Sequence, residues 1–368
     1  MPKAQETLLE IDLKALKQNF EHLKSKLQKS TKFLAVVKAF AYGSDAEEIA
    51  KYLENLKVDY FAVAYANEGV ALRKAGVTTP ILVLHALAVN FDLIIENCLE
   101  PNLYNAKILN EFIAFASAEN QTDYPVHIKF NTGLNRLGFS NNDVDSVISK
   151  VKETNAIRVT SLFSHLAASE DLHEKEFTLN QINSFKKIAD NCTKLLGYKP
   201  MLHMCNTSGI LNYPEAHFDM VRSGIGLYGF GNSEKESANL KPIASLKTVI
   251  SQIHTIEKGE SVGYNRAYTS NKFLKTATLP IGHADGIGRI YGNGKGFVTI
   301  HGKKAPIVGN VCMDMIMVNI TDIDCKEGDE VIVFDANLNS AETLAESANT
   351  ISYELITSIS QRVKRIFI

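Results

Sequence analysis

From residue 33 to residue 224, short β-branched or apolar runs alternate with stretches whose apolar positions recur at helical spacing. The runs FLAVVKA (33–39), YFAVAY (60–65), ILVLH (81–85), PNLY (101–104), VHIKFN (126–131), TSLFSHL (160–166), MLHMCN (201–206) and FDMVRSG (218–224) predict eight strands. Helical spacing covers 44–56, 67–75, 90–97, 106–118, 141–154 and 173–196, with a shorter segment at 208–213. Eight strand-and-helix repeats of this length predict an α/β fold, a (β/α)8 TIM-type barrel. Its weakest members are the fourth strand, which is short and contains Pro101, and the helix after the seventh.

Beyond residue 235 the pattern shortens. Strand-like runs are separated by turn pairs such as Lys258-Gly259, Asn293-Gly294 and Gly328-Asp329, which predicts a C-terminal all-β domain. The expected division is 1–234 for the barrel and 235–368 for the β-domain. The strand-like segment TLLEIDL (7–13) is a candidate to pair with the β-domain, and a helix near 341–349 precedes the tail ISYELITSISQRVKRIFI.

Composition narrows the classes. A chain of 368 residues holds about two domains of typical size, and 45% hydrophobic with 22% charged residues describes a folded globule. A formal charge of −2, with neither sign in long runs, removes the usual drive toward nucleic acid or an anionic membrane. The cysteines, Cys98, Cys192, Cys205, Cys312 and Cys325, are scattered with no CxxC pair, which predicts reduced thiols and no metal centre. No basic-then-apolar leader opens the chain, and no apolar stretch is long enough to span a bilayer. A soluble cytoplasmic protein is expected.

In such a barrel, chemistry sits where the strands end. The unusual residues there are Lys38, Tyr42, Arg136, His165, Asn206, Thr207, Arg222 and the glycines that follow. A lone lysine at that place would snorkel to the rim. In this company it reads as a desolvated amine that forms a Schiff base with an aldehyde cofactor or carbonyl substrate. Gly224, Gly226 and Gly229 have dinucleotide-fingerprint spacing, but they follow an eighth strand, and no acidic residue closes another strand about 20 residues later. A phosphate cradle fits that position better, the alternative being a tight turn between domains. Arg222 could be a surface ion-pair partner and His165 a core residue; beside a lysine and a cradle they describe a site for a phosphorylated aromatic cofactor. Arg136, between Gly133 and Gly138, could clamp a carboxylate or pair with a nearby acid.

AVVKAFAYG (35–43), KFNTGLNRLGF (129–139), SLFSHLA (161–167), MVRSGIGLYGFG (220–231), VGYNRAY (262–268), IGHADGIGR (281–289), VGNVCMDM (308–315) and ISYELITSISQRV (351–363) together resemble the alanine racemases. The resemblance runs nearly the full length of the chain. It implies a pyridoxal-phosphate-dependent isomerase that interconverts L- and D-alanine by a two-base mechanism and supplies D-alanine for peptidoglycan. Lys38 matches the Schiff-base lysine and one base, and Tyr264 the second base, supplied by the partner subunit of a homodimer with shared sites. Tyr42, Tyr353, Thr207, Gly224 and Ile225 match the phosphate contacts, with Asn206 beside them; the family more often has Ser at 207. His165 matches the residue beneath the ring, and Arg222 the partner of the pyridine nitrogen. Arg136 and the Met313 backbone match the groups that hold the substrate carboxylate. Lys129 matches a lysine, often carbamylated, that braces Arg136, and Cys312 and Asp314 flank Met313 as supporting residues.

Three positions depart from the family pattern. His283 replaces a tyrosine that narrows the entrance, which implies looser substrate selection. Asn131 replaces an Asp and removes a charge. Ser352 replaces a Pro, a mild change. A racemase of broader specificity and a non-catalytic cofactor carrier are the alternatives; a carrier would need neither Tyr264 nor the CMDM segment.

Overall fold

The computed structural model describes residues 4–368. The first strand, β1 (Leu8–Ile11), is followed by eight parallel strands: β2 (Lys32–Val36), β3 (Tyr60–Val63), β4 (Ile81–Val83), β5 (Glu100–Leu103), β6 (Tyr124–Lys129), β7 (Ile157–Phe163), β8 (Met201–His203) and β9 (Met220–Ser223). Their order is β8-β7-β6-β5-β4-β3-β2-β9. Backbone bonds from Asp219 N to Leu202 O (3.0 Å) and from Arg222 N to Cys205 O (3.2 Å) bridge the remaining seam, so the eight strands form a near-closed barrel. These strands are buried on both faces, which is why they read as continuous apolar runs.

The helices fit their sequence signals. In the helix Leu13–Lys24, the Asp12 carboxylate accepts from Ala15 N at 2.9 Å and supplies the N-cap. Leu16, Phe20 and Leu23 form its buried stripe, each burial worth about 2 kcal/mol. Asn19, fully buried on the same helix, donates to the carbonyls of Leu227 (3.1 Å) and Lys241 (2.8 Å) and ties the barrel to the chain that leaves it.

The strands are shorter than the apolar runs that predicted them. Met204 and Cys205, for example, are fully buried but lie beyond β8. Apolar pattern reports burial, and the loops at the barrel mouth are buried too. Two placements change as a result: Lys38 lies two residues past the end of β2, and His165 two past β7.

The C-terminal strands are β10 (Ala244–Val249), β11 (Gln252–Ile256), β12 (Ser261–Val262), β13 (Tyr268–Thr269), β14 (Leu274–Leu279), β15 (Phe297–Ile300), β16 (Lys303–Val308), β17 (Ile316–Asn319), β18 (Glu330–Phe334) and β19 (Lys364–Phe367). Nine strands form one sheet in the order β11-β14-β17-β16-β15-β18-β10-β1-β19. In it β1 runs antiparallel to β10 and parallel to β19, so the first and last strands of the chain are neighbours. The tail also forms a helix, Ser352–Ser358, that the sequence reading left unassigned. No helix among the described residues is long and apolar enough to cross a membrane.

After β2 the chain makes an unusual turn. Ala39, Phe40, Ala41 and Tyr42 all have left-handed dihedrals, with φ of 52°, 56°, 50° and 52°. Each costs roughly 1–2 kcal/mol for a residue with a Cβ. Three groups hold the turn. The Glu68 carboxylate accepts from Ala39 N at 2.6 Å. Gly43 (φ 83°) packs so tightly that a Cβ would stand 2.1 Å from Ile356 O. Arg365, on β19, reaches Gly43 O through Nε (3.2 Å) and one terminal nitrogen (2.9 Å), and its other N–H groups bond the carbonyls of Ile359, Ser360 and Val363.

Replacement of Arg365 by Lys leaves several of these carbonyls without a donor. The variant should lose about 3 kcal/mol in guanidinium unfolding; a loss below about 0.5 kcal/mol would show that the turn does not depend on this clamp.

Candidate active site

A cavity of about 510 Å³ opens where the barrel strands end. The left-handed turn directs both Lys38 and Tyr42 into it, and Arg136, His165, Asn206, Thr207, Arg222, Gly224, Ile225 and Tyr353 line it as well. Lys129 completes the set of cations at its wall, and no carboxylate is among the lining residues. Tyr353 comes from the tail helix, so the cavity is built by both halves of the chain.

One end gathers hydroxyls. Thr207 Oγ1 lies 3.0 Å from Ser223 Oγ and accepts from Gly226 N at 3.3 Å. A Cβ on Gly224 would stand 2.2 Å from the Tyr42 hydroxyl, so only glycine permits this approach. Tyr42 stacks on Tyr228 at 4.5 Å. Burial raises its hydroxyl pKa above the ordinary tyrosine value, and burial pushes the Tyr353 hydroxyl up to about 12, so both stay protonated donors at neutral pH. Asn206 Oδ1 accepts from Gly209 N and from Ser169 Oγ, both at 2.8 Å, and so shapes the loop.

The other end gathers cations. Arg222 is fully enclosed and donates to His165 Nδ1 (3.0 Å), His203 Nδ1 (2.5 Å), Ser164 O (2.8 Å) and Met204 O (3.1 Å). Burial, then the Arg222 charge, holds His165 well below its usual pKa and therefore neutral. Burial, then Arg136, lowers the Lys38 amine, with Glu68 opposing. Burial, then Arg222, Arg136 and Lys38, lowers Lys129 to about 8.

Arg136 rides on a loop pinned by two backbone bonds of 2.8 Å between Phe139 and the pair Lys129 and Asn131. Asn131 Oδ1 accepts from Gly133 N (3.1 Å) and Asn135 N (3.0 Å), and its Nδ2 donates to Asn135 Oδ1 (2.8 Å). The amide therefore keeps the acceptor role an Asp would have in shaping this loop and adds a donor of its own.

The remaining predicted residues lie elsewhere. Tyr264 is 76% exposed and Met313 60% exposed. They line a second cavity, of about 610 Å³, with Cys312 and Asp314. Asp314 accepts from Arg362 at 2.7 Å, and Arg362 also grips Asp285 at 2.7 Å. His283 is exposed and bound to this face through its backbone N–H, which donates to Cys312 O at 2.9 Å. Within one chain the structure thus collects Lys38 and the cradle in one place, and Tyr264 and Met313 in another.

The sequence reading missed several groups at the first cavity. Tyr65 and His85 line it, and Asn232 accepts from the Tyr353 hydroxyl at 3.2 Å. Glu68 and Arg365 act on the turn below it. His203 was visible as a histidine within the apolar run MLHMCN; Glu68 and Arg365 gave no local signal.

Residues 11–231 match the family model described as alanine racemase, N-terminal domain, and residues 243–367 the model described as alanine racemase, C-terminal domain. The chain is 37% identical over 366 residues to the alanine racemase of Halothermothrix orenii, covering 98% of this chain and 96% of that protein. It is similar in structure to an alanine racemase of Clostridium difficile 630, with a TM-score of 0.93 and 36% identity over 100% of this chain and 97% of the other. It is also similar to an alanine racemase of Bartonella henselae with covalently bound pyridoxal phosphate, at 29% identity and a TM-score of 0.89 over 99% and 100% of the two chains.

The crowded cations make stability depend on pH. Lys129 releases its proton near 8 when folded and near its ordinary 10.5 when unfolded, so between these values the unfolded state binds more protons and stability rises with pH. Replacement of Lys129 by Met removes the buried charge. Thermal melts of the cofactor-free chain should show the variant more stable than the parent at pH 7, by about 2–3 kcal/mol, with the gap closing above pH 10. A variant less stable at pH 7 would contradict this reading of the cluster.

Proposed function

The chain belongs to the alanine racemase family, and from that membership we propose that it interconverts L- and D-alanine with pyridoxal phosphate, using one base on each face of the substrate. The lysine cavity carries this reading. Its hydroxyl end and cationic wall, free of carboxylates, suit a phosphorylated ring with an aldehyde. Tyr42, Thr207, Tyr353 and the backbone at Gly224 and Ile225 would hold the phosphate, with Asn206 shaping the cradle. His165 would lie against the ring, Arg222 would meet its nitrogen, and Lys38 the aldehyde. When bound, the cofactor draws electron density from the substrate Cα and makes its proton removable.

Racemisation removes that proton from one face and returns one to the other, so two groups must flank the carbon. Lys38, its amine pKa lowered by burial, is suited to hold a proton on one face. Tyr264 of the partner subunit would serve the other. Arg136, braced by Lys129 once carbamylation makes that side chain anionic, would clamp the substrate carboxylate together with the backbone N–H of the partner subunit's Met313. Cys312, Asp314 and His283 would support that contributed surface. A guanidinium donates and does not readily give up its proton, so Arg222 would leave the ring nitrogen unprotonated and restrain side reactions.

A homodimer follows from the same reading. Tyr264 and Met313 are exposed and outside the Lys38 cavity, and an isologous interface would bring each pair to the other chain's lysine. The unit 1–234 would bring the cofactor site apart from Tyr353, and the unit 235–368 would bring Tyr353 and the second base. The free thiols, exposed Cys98 among them, suit a reducing cytoplasm, where the product would feed peptidoglycan.

Tyr264→Phe should retain cofactor and lose most racemisation. Its substrate-deuterium isotope effects should become unequal in the two directions, because each enantiomer gives its proton to a different base. Small, equal effects in both directions would contradict the two-base assignment.

A further inference from the structure

Five adjacent barrel strands each contribute one side chain to a buried hydrogen-bonded file. Glu100 on β5 meets His127 on β6 (Oε2 to Nε2, 2.6 Å), and His127 Nδ1 meets Ser161 on β7 at 2.5 Å. Ser161 Oγ meets His203 Nε2 on β8 at 2.9 Å, and His203 Nδ1 meets Arg222 on β9 at 2.5 Å. None of the five is more than 8% exposed.

Donor chemistry sets the direction at both ends of the file, and the single hydroxyl hydrogen of Ser161 is the one left to join them. Arg222 only donates, so His203 Nδ1 accepts and its proton sits on Nε2. That proton goes to Ser161, whose own hydroxyl hydrogen then goes to His127 Nδ1. His127 therefore carries its proton on Nε2, toward a carboxylate that only accepts. In this arrangement all the protons point from Arg222 to Glu100, and burial, then the Arg222 charge, holds His203 well below its usual pKa and therefore neutral.

Charge gives the file its purpose. The four acceptors of Arg222 are two histidines and two carbonyls, none of them a carboxylate. A buried cation without a counter-charge is costly. Glu100, equally buried, stands at the far end of a chain of polarisable bonds that strengthen one another. Burial, then the Glu100 charge, raises the Tyr60 hydroxyl above the ordinary tyrosine value, so a protonated phenol stands beside this carboxylate.

We propose that Glu100 is a positioning residue for racemisation, which through His127, Ser161 and His203 holds Arg222 charged and oriented and weakens its donation toward the cofactor ring nitrogen. This rests on the reading that Arg222 faces that nitrogen. A guanidinium polarised toward His203 has less acidity left in its other N–H groups. Without the Glu100 charge, Arg222 donates more strongly to the ring, electron withdrawal rises, and more turnovers divert to transamination.

The test is ¹⁵N NMR on the full-length holoenzyme, labelled in histidine or in the cofactor ring nitrogen. In the parent protein His127 and His203 should both carry their proton on Nε2. A proton on Nδ1 of His203 would overturn the proposal without any variant. In Glu100→Gln, which keeps an acceptor and loses the charge, the ring-nitrogen signal should move toward its protonated position and transamination per racemisation should rise roughly fivefold. An unmoved signal in a folded variant would overturn it. Arg222→Gln separates the two levels: if this variant moves the signal and Glu100→Gln does not, the relay alone fails, whereas if neither moves it the placement of Arg222 fails and the relay with it.

Discussion

Four cationic side chains, Lys38, Lys129, Arg136 and Arg222, share one cavity that no carboxylate lines. Unit charges a few ångströms apart repel by several kcal/mol even at an effective dielectric near 20, and this repulsion adds to the burial that is the larger cause of the shifts in protonation here. Lys129 falls to about 8, Lys38 falls from its ordinary value, and His165 is kept neutral. The same repulsion is relieved by an anionic ligand. A cavity that is unfavourable when alone and favourable around a phosphate and a carboxylate is a binding site by electrostatics.

The second constraint is conformational. Four successive left-handed residues carry Lys38 and Tyr42 into the cavity, and the groups that restrain them come from far along the chain. Arg365 lies 322 residues from Gly43, on a strand that pairs with the first strand of the protein. Tyr353 arrives on the tail helix. The barrel supplies the lysine, but the end of the chain holds it in place, which explains why the two halves share a sheet rather than a linker.

The barrel was legible in the sequence because parallel strands buried on both faces leave apolar runs, and amphipathic helices between them leave a 3.6-residue period. Lys38, His165, Arg222 and the Gly224 cradle were legible because polar residues and glycines interrupt those runs at their ends. Strand ends were not, since burial continues into the loops, as at Met204 and Cys205. The left-handed turn could not be read from KAFAY, which has no glycine before Gly43. Glu68, Arg365 and the file from Glu100 to His203 act through contacts between distant segments, and hydrophobic periodicity carries no record of such contacts. Tyr264, Met313, Cys312 and Asp314 entered through family resemblance alone, because nothing in their spacing separates a catalytic surface from an ordinary β-domain turn.

The central claim is that a working site takes its lysine from one chain and its tyrosine from another. Mixing inactive Lys38→Ala with inactive Tyr264→Ala chains tests it directly. In a mixed dimer one site inherits both defects and the other neither, so random exchange should restore about a quarter of parental activity. No recovery, with subunit exchange confirmed by an independent label, would show that each chain builds its site alone.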